Sequence, residues 1–161
     1  MRRNALILGA LSLVVAATTA QAQDKPNFAG SWTIVADPNA APMGGRGGGG
    51  GLGQAATIAQ DAKTLTITRT TQNGEIKLVY NLDGSESKNT VMGRGGQTEQ
   101  VSKATWDGNK LVITTNLQMG DQAVTRTQTF ALDASGQLTV TTSGPGRGGE
   151  VMTTTQTYKK G

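Results

Sequence analysis

The segment Lys63–Leu82, KTLTITRTTQNGEIKLVYNL, contains the pattern that decides the fold. Apolar residues alternate with threonine or charged residues on both sides of Asn73-Gly74, as they do in half-buried strands. Asparagine and glycine both tolerate positive φ, and Asn-Gly is a strong signal for a two-residue hairpin turn. The segment therefore predicts an antiparallel β-hairpin with one face in a core.

The same alternation recurs along the chain and predicts ten strands, of which the fifth has the weakest pattern. They are Gly30–Ala36, Gln54–Gln60, Lys63–Thr71, Glu75–Leu82, Ser85–Met92, Gln97–Trp106, Lys110–Leu117, Gln122–Leu132, Gln137–Thr142 and Glu150–Lys159. The joints between them are short, which favours sequential antiparallel pairing, and closing such a sheet removes its exposed edges. We predict an all-β fold, an antiparallel up-and-down β-barrel or flattened clam of about eight to ten strands.

The first 22 residues have the layout of a secretory signal. Arg2 and Arg3 precede the apolar run ALILGALSLVVAA, and Ala20-Gln21-Ala22 supplies small residues at a cleavage site. The apolar run is short for a membrane span, and a buried N-terminal helix is the alternative. We predict a signal peptide with a helix over 1–22 and a single barrel domain over 23–161, periplasmic or secreted. The chain has no cysteine and therefore no disulfide.

Three glycine-rich segments each surround one arginine: residues 43–53 (MGGRGGGGGLG), 93–96 (GRGG) and 144–149 (GPGRGG). In an up-and-down barrel alternate connections share an end, so all three are predicted on one end, here called the upper end. Four connections that open on aspartate fall on the opposite, lower end. The predicted anion contacts on the upper rim are Arg46, Arg94 and Arg147. In the alternative interpretation these are slack loops with solvated arginines, and residues 37–53 are expected to be flexible in either case.

The alternation also sorts side chains between interior and surface. Arg69 shares the face of Leu65 and Ile67, and Arg126 shares that of Phe130, so both are predicted inside the upper half unless a bulge turns them outward. Such guanidiniums need water, Glu75, Glu99 or a ligand anion. The predicted interior ligand-binding residues are Arg69, Arg126, Gln128 and Tyr158. A core aromatic plug is predicted in the lower half, formed by Phe28, Trp32, Tyr80, Trp106 and Phe130.

Composition restricts the function classes. Without histidine or cysteine the chain has no imidazole or thiolate for catalysis or metal binding, and most of its aspartates fall in turns. We therefore expect no catalytic residues, no enzymatic activity, no metal and no cofactor. Cleavage after residue 22 leaves 13 of the 15 lysines and arginines against 11 acids, and a net charge of +2 is too small to predict a nucleic-acid partner.

Two non-enzymatic functions stay open. The first is a carrier or sensor that binds a small amphipathic or anionic molecule inside the barrel. The second is an envelope interaction module that contacts another envelope component through its glycine- and arginine-rich rim loops. Neither requires an integral membrane span after signal cleavage.

Several motifs resemble those of the calycins, the group of lipocalins and fatty-acid-binding proteins. Residues 28–32 (FAGSW) are similar to the opening of the calycin first strand, and residues 106–111 (WDGNKL) and 157–160 (TYKK) also resemble segments of calycins. The resemblance implies a ten-strand barrel. The chain also resembles a group of exported bacterial lipocalin-like domains. In the fatty-acid-binding branch a helical lid joins the first two strands, but Asp37–Gly53, with two prolines and a pentaglycine, cannot hold stable helices. That branch also binds the ligand carboxylate through an Arg-x-Tyr pair, which here reads Gln156-Thr157-Tyr158.

Overall fold

The computed structural model of the protein describes residues 25–35, 51–71, 74–93, 96–119, 122–146 and 149–161. The predicted signal peptide and the rim arginines Arg46, Arg94 and Arg147 lie outside these ranges. Among the described residues, no helix has the length and apolar character needed to cross a membrane.

Ten antiparallel strands form one sheet, as the alternation predicts. They are β1 (Gly30–Ile34), β2 (Ala55–Gln60), β3 (Thr64–Thr71), β4 (Gly74–Asn81), β5 (Glu86–Gly93), β6 (Gly96–Asp107), β7 (Lys110–Met119), β8 (Gln122–Leu132), β9 (Leu138–Pro145) and β10 (Val151–Lys160).

The sheet closes into a nearly complete up-and-down barrel. Its strand order is β4-β3-β2-β1-β10-β9-β8-β7-β6-β5, so every strand except β4 and β5 has two hydrogen-bonded neighbours. The first and last strands pair with each other, with Trp32 opposite Lys160 and Ile34 opposite Tyr158. The closure that alternation alone leaves undecided is therefore made by β1 and β10, and the break in backbone pairing lies between β4 and β5.

Side chains bridge that break, here called the seam. The Asn89 side-chain amide accepts a hydrogen bond from the Val79 N–H at 2.7 Å and donates one to the Val79 carbonyl oxygen at 2.9 Å. One step lower, the Asn81 N–H donates to Ser87 Oγ at 2.7 Å. Asn89 and Ser87 are both buried. Two polar side chains of β5 thus form hydrogen bonds with backbone groups of Val79 and Asn81 on the edge of β4 that pairs with no other strand.

The lower half of the interior is filled by aromatic and aliphatic side chains. Phe28, just before β1, is fully buried; its ring lies 6.0 Å from that of Trp106 and 6.1 Å from that of Phe130. Trp32 Nε1 donates to the Phe28 carbonyl oxygen at 2.8 Å, and the Phe28 N–H donates to Gln60 Oε1 at 2.8 Å. The segment before the first strand therefore closes the lower end.

Aspartates organise three of the lower connections. Asp61 accepts hydrogen bonds from the N–H groups of Lys63 and Thr64, and Asp83 accepts one from the Ser85 N–H. Asp133 does the same with Ser135 and Gln137. The hydrogen bonds from the Lys63 and Thr64 N–H groups lower the pKa of Asp61 below its ordinary value, and hydrogen bonds from the side chain and then the N–H of Ser85 lower the pKa of Asp83.

Strand boundaries agree with the predicted ones or differ from them by at most three residues, and the largest difference is at the end of β9. The glycine- and proline-containing residues 144–145 were expected in a loop, but Gly144 pairs with Met152 and Pro145 pairs with Val151 of β10. Pairing of β9 with β8 stops earlier, at Ser143. Proline is tolerated there because one side of the strand has no backbone partner.

Candidate ligand site in the upper half of the barrel

Two arginines lie on the inner face of the sheet above the aromatic core. Arg126 on β8 is opposite the buried Thr115 of β7, and Arg69 on β3 follows the buried Leu65 and Ile67 in alternation. Both are half-buried. The two guanidiniums are close enough for the positive charge of Arg69 to lower the pKa of Arg126, in addition to the larger effect of burial. We call the region around them the arginine site.

Within the described residues, neither arginine forms an ion pair with a carboxylate. The ion pairs found there, Lys88 with Glu99 at 3.4 Å and Lys103 with Glu86 at 3.5 Å, lie on the outer surface. The expectation that Glu99 could neutralise an inward arginine is therefore wrong, because alternation on β6 turns Glu99 outward with Lys103. Glu75 is exposed as well. Arg69 Nε is buried and has no hydrogen-bond partner among the described atoms.

Two tyrosine hydroxyls border the arginine site. Burial raises the pKa of Tyr80 to about 12, although the positive charges of Arg69 and Arg126 oppose the shift. Burial also raises the pKa of Tyr158, against the hydrogen bond from Leu52 and the charge of Arg69. Both tyrosines were predicted among the interior residues, and both stay neutral at physiological pH. They offer hydroxyl hydrogen bonds rather than charge.

The end of the glycine-rich connection enters the barrel here, which the sequence analysis missed. Gly51 and Leu52 are buried, and we call Gly51–Gly53 the glycine insert. Arg69 Nη1 donates to the Gly51 carbonyl oxygen at 3.1 Å, and the Leu52 N–H donates to Tyr158 Oη at 3.0 Å. Tyr158 Oη in turn donates to Gln156 Oε1 at 2.9 Å.

The remaining predicted residues divide between the two halves. Gln128 lies on β8 between Arg126 and Phe130, opposite Ile113 and Thr142, and is half-buried. Phe28, Trp32 and Phe130 are buried in the lower core. Trp106 is only half-buried, and its Nε1 is buried without a partner among the described atoms.

Two surface openings lie next to the two arginines. A cleft of about 210 Å³ lies in the upper part of the seam, above Asn89, and is lined by Ile76, the residue of β4 that pairs with Arg69 of β3. A groove of about 270 Å³ lies where β8 and β9 separate and is lined by Val124 and Gly144. A Cβ added at Gly144 would lie 3.6 Å from Arg126 Cγ. Each of these surface depressions is thus lined by a neighbour of one arginine, and neither lining includes the arginine itself.

The large apolar side chains that are exposed in the described part of the chain all occur at upper strand ends. They are Val35, Met92, Val151 and Met152, with 40 to 75% of their surface exposed. In the same part of the chain, no group of three or more acidic side chains could hold a metal ion.

Comparison with models of known protein families gives no match, and a search of curated proteins gives no significant relative.

Proposed function

We propose that the protein is an exported, calycin-like barrel that binds a small amphipathic anion in its upper half, with the anionic head at the arginine site. The observation that carries the proposal is the pair of inward guanidiniums without a carboxylate partner in the described chain. Half-burying two like charges side by side is unfavourable, and the lowered pKa of Arg126 reflects that cost. A ligand anion would relieve it.

The surroundings of the arginine site suit an amphipathic molecule. Below the arginines the core is apolar, with Leu78, Ile113 and Val140 buried. Beside the guanidiniums, the hydroxyls of Tyr80 and Tyr158 supply neutral hydrogen-bonding groups. An apolar interior with a few convergent polar groups is the usual character of a small-molecule site.

Calorimetry with dodecanoate and its uncharged twin dodecanol tests this proposal. We expect dodecanoate to bind more tightly, and Arg126→Gln to weaken dodecanoate about tenfold while leaving dodecanol unchanged, since a charge-assisted hydrogen bond is worth about 1.5–3 kcal/mol. Lys103→Gln removes the same charge from the outer surface and is the matched control. Equal binding of both compounds to wild type and Arg126→Gln would refute the proposal.

A second candidate function rests on the apolar upper rim. Because Val151 and Met152 are exposed at the start of β10, next to the segment that contains Arg147, the rim has the character of a protein contact surface. In this alternative the protein is an envelope interaction module. Replacing Val151 and Met152 by serine should then abolish capture of its envelope partner while leaving dodecanoate binding intact, and unchanged capture would exclude the alternative.

A further inference from the structure

The glycine insert occupies the arginine site in the way a ligand would. The Gly51 carbonyl and the Leu52 N–H belong to one peptide unit, and both of its polar ends are bound by interior side chains, Arg69 and Tyr158. The Leu52 side chain is only 2% exposed. The insert thus makes both polar and apolar contacts, as an amphipathic ligand would. Its carbonyl oxygen accepts from a guanidinium, its N–H donates to a hydroxyl, and its branched apolar side chain lies in the core.

Glycine at position 51 leaves the space that the end of the Gln156 side chain and Tyr158 Oη occupy. A Cβ there would overlap Gln156 Oε1 and come within 2.7 Å of Gln156 Cδ and 2.8 Å of Tyr158 Oη. No φ restriction demands glycine at this position, so the constraint is one of space. Two residues later the opposite holds: Gly53 has a φ of +82°, and a Cβ there would meet nothing within 4 Å. Within the glycine insert, the space for a side chain is thus smallest at position 51, next to Gln156 and Tyr158.

We propose that the Gly51–Leu52 peptide unit is a built-in, displaceable occupant of the arginine site, and that an amphipathic anion binds by expelling it. The inference rests on the proposed function and adds its regulation. Arg69 exchanges the Gly51 carbonyl oxygen for the anionic head, and the ligand's apolar part replaces the Leu52 side chain. The site is therefore closed by the chain's own backbone until a ligand competes for the same partners.

Because the ligand binds only molecules in which the insert has left the arginine site, its apparent affinity equals the intrinsic affinity multiplied by the fraction of such molecules. If that fraction is below a tenth, a variant that keeps the insert out binds a probe at least tenfold more tightly. Gly51→Ala is that variant. Gly53→Asn is its matched control, since it adds a larger side chain to the same segment, in open space, and asparagine tolerates positive φ.

The first measurement needs no ligand: hydrogen exchange of the Leu52 amide, followed by NMR. We expect protection in wild type and Gly53→Asn and at least a tenfold loss of protection in Gly51→Ala. Tyr158→Phe keeps the ring and removes the hydroxyl acceptor, so it should also lose protection and gives a second route if Gly51→Ala folds poorly. A Leu52 amide that stays protected in both variants would overturn the inference.

The second measurement uses the amphipathic anion 8-anilinonaphthalene-1-sulfonate as a fluorescent probe. We expect at least tenfold tighter binding to Gly51→Ala than to wild type or Gly53→Asn, and loss of Leu52 protection when the probe binds wild type. If the probe binds all three proteins equally and Leu52 stays protected, the displacement is wrong while anion binding stands. If Leu52 is freed in Gly51→Ala but no anion binds any variant, the contacts that hold the insert are as described, but both its displacement by an anion and the proposed function are wrong.

Discussion

The seam between β4 and β5 depends on one side chain more than on any other, which gives a sharp prediction for Asn89. Its amide makes the two hydrogen bonds to Val79 that a neighbouring strand would otherwise make, at 2.7 and 2.9 Å, and only 6% of its surface is exposed. Each such bond contributes about 0.5–1.5 kcal/mol net. We therefore expect Asn89→Ala to lower the free energy of unfolding by about 2 kcal/mol, and Ser87→Ala, which removes one bond, by about 1 kcal/mol.

Urea denaturation measures these losses, and amide exchange of Val79 locates them. Asn116→Ala is the control, since the exposed Asn116 accepts one bond from Thr125 at 3.2 Å and should change stability by less than about 0.5 kcal/mol. The seam interpretation would be refuted if Asn89→Ala were as stable as Asn116→Ala, or if Val79 exchange did not accelerate.

Asn89→Asp probes the same contact through pH. An ionised carboxylate accepts the Val79 N–H but cannot donate to the Val79 carbonyl, whereas the protonated acid can do both. Burial and the facing carbonyl would raise its folded pKa above the unfolded value. Relative to wild type at the same pH, the variant should therefore be most stable at low pH and lose stability as the pH rises through the folded pKa; the opposite trend in this difference would contradict the contact.

Three further predictions concern the core and the ionisable groups. Phe28→Ala should lower the free energy of unfolding in urea by about 3–5 kcal/mol, as for a core phenylalanine, although it precedes the first strand; a loss below 1 kcal/mol would mean that it does not close the lower end. The Tyr80 phenol should ionise at about pH 12 in ultraviolet titration, and Arg126→Gln should raise the pKa of Tyr80 further because it removes a positive charge. The contribution of the neutral Tyr80 phenol to stability is complete below about pH 10 and is lost as the pH rises toward 12. The lowered pKa of Asp61 means that its contribution is present above the unfolded pKa of about 4 and lost as the pH falls through the folded value, so Asp61→Asn should unfold less steeply in acid, and an identical acid profile would contradict this.

Alternation was enough to predict ten strands because one face of each strand packs on a core and the side-chain period of a strand is two. Ser85–Met92 gave the weakest pattern for a physical reason. Its core-facing positions include Ser87 and Asn89, which are buried to bridge the seam rather than to fill a hydrophobic core. A strand that satisfies a neighbour's backbone through side chains carries polar residues where the pattern expects apolar ones.

The inward placement of Arg69 and Arg126 followed from the same alternation. The glycine insert did not, because its burial depends on Tyr158, more than one hundred residues away, and on a space left by Gln156. Residues 43–53 show no periodicity, and a run of glycine indicates freedom rather than a specific contact. The one available signal was Leu52, a single large apolar residue among the glycines.

β1 and β10 are far apart in the sequence but are joined by backbone hydrogen bonds. β4 and β5 follow each other in the sequence but have no backbone pairing. The Gly161 N–H donates to the Ser31 carbonyl oxygen at 2.9 Å, so the end of β10 lies beside the start of β1. A circular permutant that links Gly161 to the segment before Phe28 through a short glycine linker, so that Phe28 stays in the core, and opens the chain at Asp83-Gly84 would place its new termini at the seam. In such a molecule the order of strands along the chain would coincide with their order in the sheet from one edge to the other.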